Sequence, residues 1–108
     1  MIVRLKRKNA RYPDLCPKQN YLVIGIEADE LRIINDQGRP YLYRPTLFRV
    51  IDKSESDDWI RETGDDGERY AYPAPLNRVG FFEDFFDGKK TVVAAFWRTV
   101  NKQLAAAV

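Results

Sequence analysis

At 108 residues, 44% hydrophobic and 31% charged, the chain has the size and composition of one globular domain, with neither the polarity of a disordered segment nor the ~18-residue apolar run of a membrane span. Its formal net charge of +2 conceals segregation: residues 1–18 carry six basic side chains against Asp14, residues 52–68 carry eight acidic ones against Lys53 and Arg61, and Lys89, Lys90, Arg98 and Lys102 make the last stretch basic again. The absence of histidine and the single cysteine, Cys16, exclude an internal disulfide, Cys–His and Ser–His nucleophile pairs, and the commonest metal ligand.

Residues 2–8 read as a first strand, with Ile2, Val3 and Leu5 apolar and basic residues beyond. Residues 9–20 hold Pro13 and Pro17 without periodicity and read as a loop. From Tyr21 to Ala28 the alternation places Leu22, Ile24, Ile26 and Ala28 on one face, and Gly25 in mid-strand predicts a bend or bulge. A turn at Asp29-Glu30 leads to a strand over 31–34, and Asn35-Asp36-Gln37-Gly38 is a hairpin turn returning through 41–43. Pro45-Thr46-Leu47 reads as a tight turn before a strand over 48–51, with Phe48 and Val50 facing inward. After an acidic loop over 52–58, residues 59–62 and 69–72 make a hairpin around Gly64-Asp65-Asp66-Gly67, ended by Pro73 and Pro75. Beyond Gly80 the period becomes helical. Phe81, Phe82, Phe85 and Phe86 mark a short helix stopped at Asp87-Gly88, and Val93, Phe96, Trp97, Val100 and Leu104 form the apolar stripe of a second, over about 91–104.

The expected fold is therefore α+β: a small, strongly bent antiparallel sheet or barrel of about five strands over residues 1–72, with a helical tail over 80–104 packed on it as part of one domain. The chain turns polar within its first residues at Arg4, Lys6 and Arg7, which leaves no secretory apolar stretch, and a lone cysteine suits a reducing compartment. A cytoplasmic location is the expectation.

Chemistry is sparse. Cys16 has no base or second thiol beside it, and Lys18 is its only cationic neighbour in sequence. Asp57-Asp58 and Asp65-Asp66 are adjacent acids in polar turns, where carboxylates stay solvated and ionised, and their spacing does not make a calcium loop. The six glycines are scattered singly, so no phosphate-binding loop is present. No catalytic residue, metal site or cofactor is expected, and the chain reads as a non-enzyme.

Two surface features carry the functional expectation. The first is an acidic, aromatic stretch in which Trp59, Tyr70 and Tyr72 would be rigid anchors rimmed by Asp57, Asp58, Glu62, Asp65, Asp66 and Glu68, the composition of a protein-binding patch. Its structural alternative has Trp59 and one tyrosine closing the gap between sheet and helices. The second is the basic run Arg4, Lys6, Arg7, Lys8 and Arg11, which on a strand would set Arg4, Lys6 and Lys8 on one face for nucleic acid, or serve as a solvated edge whose lysines block pairing.

Gly25-Ile26, the turn Asn35-Asp36-Gln37-Gly38 and the ending Phe48-Arg49-Val50-Ile51-Asp52 resemble the Src-homology-type small β-barrels of bacteria, some of which are similar to immunity proteins that bind and block a toxin. The resemblance implies a barrel fold and a protein partner, and no catalytic motif. The leading expectation is a protein-binding module, an immunity or inhibitor protein; the alternative is a nucleic-acid-binding small barrel.

Overall fold

In the computed structural model, which describes residues 1–106, the chain forms β1 (Ile2–Leu5), β2 (Asn20–Glu27), β3 (Glu30–Ile34), β4 (Pro40–Tyr43), β5 (Phe48–Asp52), β6 (Trp59–Thr63), β7 (Arg69–Pro73), α1 (Phe81–Phe86) and α2 (Lys90–Ala106). Single 3-10 turns, Pro45–Leu47 and Ala74–Leu76, precede β5 and follow β7. The architecture is α+β, with every strand pair antiparallel. The main path runs β4-β3-β2-β1-β5; β7 joins through β2, and β6 pairs with β7. Among the described residues β4 and β5, the ends of that path, do not pair, so the sheet is open rather than a closed barrel. It has seven strands rather than about five, because the β6–β7 hairpin belongs to the same sheet.

β2 is buried on both sides, and its alternation breaks once. Val23 pairs with Ile33 but Gly25 pairs with Arg32, so Ile24 is an extra residue on β2. An inserted residue reverses which face the following side chains take. Tyr21 and Val23 therefore enter one core cluster with Val3, Leu5, Leu31, Ile33 and Trp59, and Leu22 and Ile24 face the helices, but beyond the bulge it is Ile26 that rejoins the first cluster. The expected single face of Leu22, Ile24, Ile26 and Ala28 is thus divided, and Ala28 sits exposed in the turn. Gly25 is required here, since a Cβ would lie 2.1 Å from the Tyr72 ring packed against it.

The second cluster joins sheet to helices: Ile24 and Tyr72 meet Leu76, Phe81, Phe85, Phe96 and Val100. Of the expected stripe on α2, Phe96 and Val100 are buried, Val93 and Trp97 pack from the side, and Leu104 is exposed on the last turns. Gly88 takes φ +77° between the helices, where Asp84 receives Lys89 at 2.8 Å and Arg78 at 3.0 Å. Hydrogen bonding by Lys89 and then Arg78 holds the Asp84 carboxyl below the usual range. Neither helix is long and apolar enough to cross a membrane.

The 9–20 loop is tied down by polar contacts. Asp14 accepts hydrogen bonds from Tyr43 and from Asn35, which is itself buried. Tyr21 donates to Asp36 at 2.6 Å and accepts from the Cys16 backbone at 2.7 Å. Burial above all, with the neighbouring Asp36, pushes the Tyr21 hydroxyl up to about 12.

Three local expectations change. β1 stops at Leu5, not Lys8, because the Lys6 N–H turns to the Leu47 carbonyl. The turn after β2 is Ala28-Asp29, not Asp29-Glu30, since Glu27 pairs with Glu30. Val50 lies on the inner face opposite Val3 yet is exposed rather than buried, because β5 is an edge strand with β1 as its one hydrogen-bonded neighbour among the described residues.

Candidate functional site

The β6–β7 register sorts the acidic, aromatic stretch onto two faces. Ile60 opposes Tyr72 and Glu62 opposes Tyr70 on one side, while Trp59, Arg61 and Ala71 share the other. Trp59 is 5% exposed, in the cluster beneath the sheet, and Tyr72 is equally buried under the helices. Neither can be an exposed anchor: apolar area of that size gains more from the core than from solvent. The expected nine-residue patch therefore does not assemble. Asp57 and Asp58 lie in the loop before β6 and Asp65 and Asp66 at the hairpin tip, while the Glu68 carboxylate folds over Gly64 and accepts the Asp66 N–H. Of the nine, Glu62, Tyr70 and Tyr72 come together.

They come together as one wall of a cleft of about 690 Å³. The other walls are Glu27 and Ala28 at the β2–β3 turn, and Val79, Phe82, Glu83 and Phe86 from the loop before α1 and α1 itself. Its floor is Arg32, a charged residue within the otherwise apolar run Leu31 to Ile34, only 5% exposed. On β3 the alternation that sends Leu31 and Ile33 to the sheet core leaves Arg32 on the helix side.

All three donor directions of the guanidinium are used. Nε donates to the Tyr72 hydroxyl at 3.0 Å, Nη1 to the Pro40 carbonyl at 2.9 Å and Nη2 to Glu27 Oε1 at 3.1 Å. The Phe82 ring lies 3.8 Å from the guanidinium carbon, a cation–π contact in a desolvated place. The Tyr72 hydroxyl also donates to Glu27 at 3.0 Å. Burial raises the Tyr72 hydroxyl well above its ordinary range; Glu27 adds to the rise and Arg32 opposes it. Each guanidinium nitrogen thus has an acceptor, which fixes Arg32 in place and shapes the cleft.

The rim differs in character. Val79 is 98% exposed, and Phe86 is exposed while its ring leans against Tyr41, ring centres 5.7 Å apart and planes tilted by 41°. Among the described residues Glu62 and Glu83 are in no ion pair, whereas Glu55 behind the hairpin meets Arg69 at 2.9 Å and Arg61 at 3.2 Å. Burial works to raise the Glu55 carboxyl, but hydrogen bonding and charge from Arg69 and Arg61 outweigh it and hold it low.

The Ala28-Asp29 turn at the rim takes positive φ at both residues, +48° and +68°. Hairpin twist demands this geometry, which glycine and asparagine adopt readily and alanine does not. Asp29 is held by reciprocal bonds with Arg69: its N–H to the Arg69 carbonyl at 3.0 Å, and the Arg69 N–H to its Oδ1 at 2.9 Å. Ala28→Gly is accordingly expected to stabilise the fold by about 1 kcal/mol, the left-handed penalty removed less the added unfolded-state entropy. A denaturant midpoint that falls would show that the turn carries no strain.

The basic N-terminal residues do not share a strand face. Arg4 donates through Nε to the Pro17 carbonyl at 2.8 Å and Lys8 through Nζ to the Leu15 carbonyl at 3.2 Å, so two of the five secure the loop. Lys6, Arg7 and Arg11 are exposed past the end of β1. Cys16 is half-buried, and its sulfur accepts the Lys18 N–H at 3.5 Å. Among the described residues no group of three acidic or sulfur-bearing side chains is placed to hold a metal ion.

Sequence reasoning missed Arg32, Glu27, Val79 and Glu83. The signal for Arg32 was a charge inside a four-residue apolar strand, which calls for a buried partner. Val79 and Glu83 gave none, because only the fold brings them opposite the hairpin. No protein family, no curated protein and no solved structure matches this chain.

Proposed function

We propose that this chain is a non-enzymatic protein-binding module of the immunity or inhibitor kind, which engages a basic partner through the cleft between the β6–β7 hairpin and α1. One observation carries the reading: the cleft's unpaired charges, Glu62 and Glu83, are both acidic and stand beside the exposed apolar rim of Val79 and Phe86. An apolar contact area whose unpaired lining charges are carboxylates suits a protein surface of the opposite sign, with Tyr70 as the aromatic contact. Asp65 and Asp66 at the hairpin tip extend the negative field and would steer association. A toxin whose substrate is nucleic acid presents the cationic groove that such a surface can fill. The strand order β4-β3-β2-β1-β5, with a 3-10 turn leading into β5, supports reading residues 1–72 as an open, curled sheet related to the small barrels that the sequence resembles. The nucleic-acid alternative has weaker support, since Arg4 and Lys8 are committed to loop carbonyls.

The test is titration against the toxin or other basic protein encoded beside this chain. Glu62→Lys combined with Glu83→Lys is expected to weaken binding by roughly 100-fold, and binding of the unaltered chain to weaken as salt rises. An affinity indifferent to both changes would overturn the cleft as the contact surface.

A further inference from the structure

β5 has a free edge. It pairs with β1 alone among the described residues, and it carries Val50 and Ile51 at 57% and 51% exposure. An open edge bearing two adjacent aliphatic residues is a template for another strand. Bulges ordinarily turn such an edge away from partners; here the irregularity instead completes a symmetric pattern.

The register shifts between Ile2 and Val3: Ile2 opposes Asp52 while Val3 opposes Val50, so Ile51 is the extra residue. Val3, Leu5 and Phe48 are buried on the inner face, which leaves Arg4 and its partner Arg49 on the outer face, together with Ile2 and its partner Asp52. Without the extra residue, positions three apart would point to opposite faces. With it, Arg49 and Asp52 share one. Their partners on β1, Arg4 and Ile2, are two residues apart, so the backbone groups of Arg49 and Asp52 also point to the same side of the strand. A two-fold antiparallel pairing needs both properties in the residues that face each other.

The stretch Arg49-Val50-Ile51-Asp52 reads as cation, apolar, apolar, anion. Laid antiparallel on a second copy, it places Arg49 of each chain opposite Asp52 of the other and Val50 opposite Ile51. The pairing also meets a deficit within the chain, where Arg49 faces Arg4 across the strands, two like charges in directly opposed positions. Val50 lines a groove of about 210 Å³ with Met1, Val3 and Pro45, and with Asp29 and Arg69 among its other walls, so aliphatic surface available to a second copy continues inward from the edge.

We propose that the chain forms a two-fold symmetric homodimer through β5, in the register that opposes Arg49 to Asp52 and Val50 to Ile51. The occupant of the edge is a second copy because the charge pattern complements itself. This surface is separate from the cleft, and its test does not involve the cleft's partner.

Sedimentation equilibrium of the full chain, from low micromolar to millimolar concentration, is expected to show mass rising from 12.6 kDa towards twice that value. Arg49→Asp, which leaves the Asp52 bond to the Ser54 N–H intact and gives Arg4 an attractive neighbour, should weaken dimerisation at least about ten-fold while thermal melting shows a folded protein. Arg49→Asp combined with Asp52→Arg reverses the pattern without spoiling its complementarity and should restore the dimer. Val50→Arg should abolish it on either background. A chain that stays at monomer mass throughout overturns the proposal, and so does a dimer that survives both Arg49→Asp and Val50→Arg. Failure of the folded double variant to recover overturns the register.

Discussion

Replacing Arg32 by alanine is expected to lower the stability of the fold by about 3 kcal/mol, the low end of the cost of removing one partner from a buried ion pair. The guanidinium is 5% exposed and satisfies Tyr72, Pro40 and Glu27 while lying on the Phe82 ring. Its removal strands the Glu27 charge, opens a void beside Phe82 and leaves the Pro40 carbonyl without this partner. The figure sits at the low end because the Glu27 side chain is 38% exposed and keeps the Tyr72 hydrogen bond, so water and that hydroxyl share its charge. Arg32→Lys should recover less than half of the loss, since one ammonium cannot reach three divergent acceptors and stack at once. Combining Arg32→Met with Glu27→Gln should recover more, because it removes the stranded charge and fills the volume. Urea midpoints at unchanged slope give all three values. A loss below about 1 kcal/mol for Arg32→Ala would mean that the pair behaves as a solvated surface bridge.

The largest loss is expected from Phe96→Ala, about 3–5 kcal/mol. Phe96 is fully buried, with ring centres of Phe85, Trp97 and Phe82 at 4.6, 5.0 and 6.0 Å. Those neighbours are held on two helices and cannot all close on the space, so the cavity term adds to the lost transfer energy. The effect should reach the cleft, because Phe82, which touches Phe96, also carries the Arg32 guanidinium. Denaturant unfolding gives the stability change, and near-ultraviolet circular dichroism, read in parallel, should lose aromatic signal. A loss under about 1.5 kcal/mol would show that α2 repacks freely and does not fix the cleft wall.

The α+β class, the Asn35–Gly38 turn, the β6–β7 hairpin, the helix break at Gly88 and the buried pair Phe96 and Val100 were all legible in the chain, because each rests on a local period or a turn residue. Gly25 was legible as a bulge, but its consequence was not. Local alternation cannot announce that one inserted residue sends Ile26 to a different core from Ile24. Trp59 and Tyr72 failed as exposed anchors for a related reason. A period of two says that Trp59 and Ile60 face opposite ways, but not which of those ways is out.

What the sequence determined by itself is therefore the succession of elements, most of their turns and the segregation of charge, all properties of residues close together along the chain. The tertiary structure alone decided which side of each strand is core, that Arg32 meets Glu27, Tyr72 and Phe82 from three other elements, and that Glu62 and Glu83 border one cleft. Those are contacts between segments as much as 50 residues apart, Arg32 to Phe82 being the longest, and they exist only once burial of two separate apolar clusters has chosen the faces.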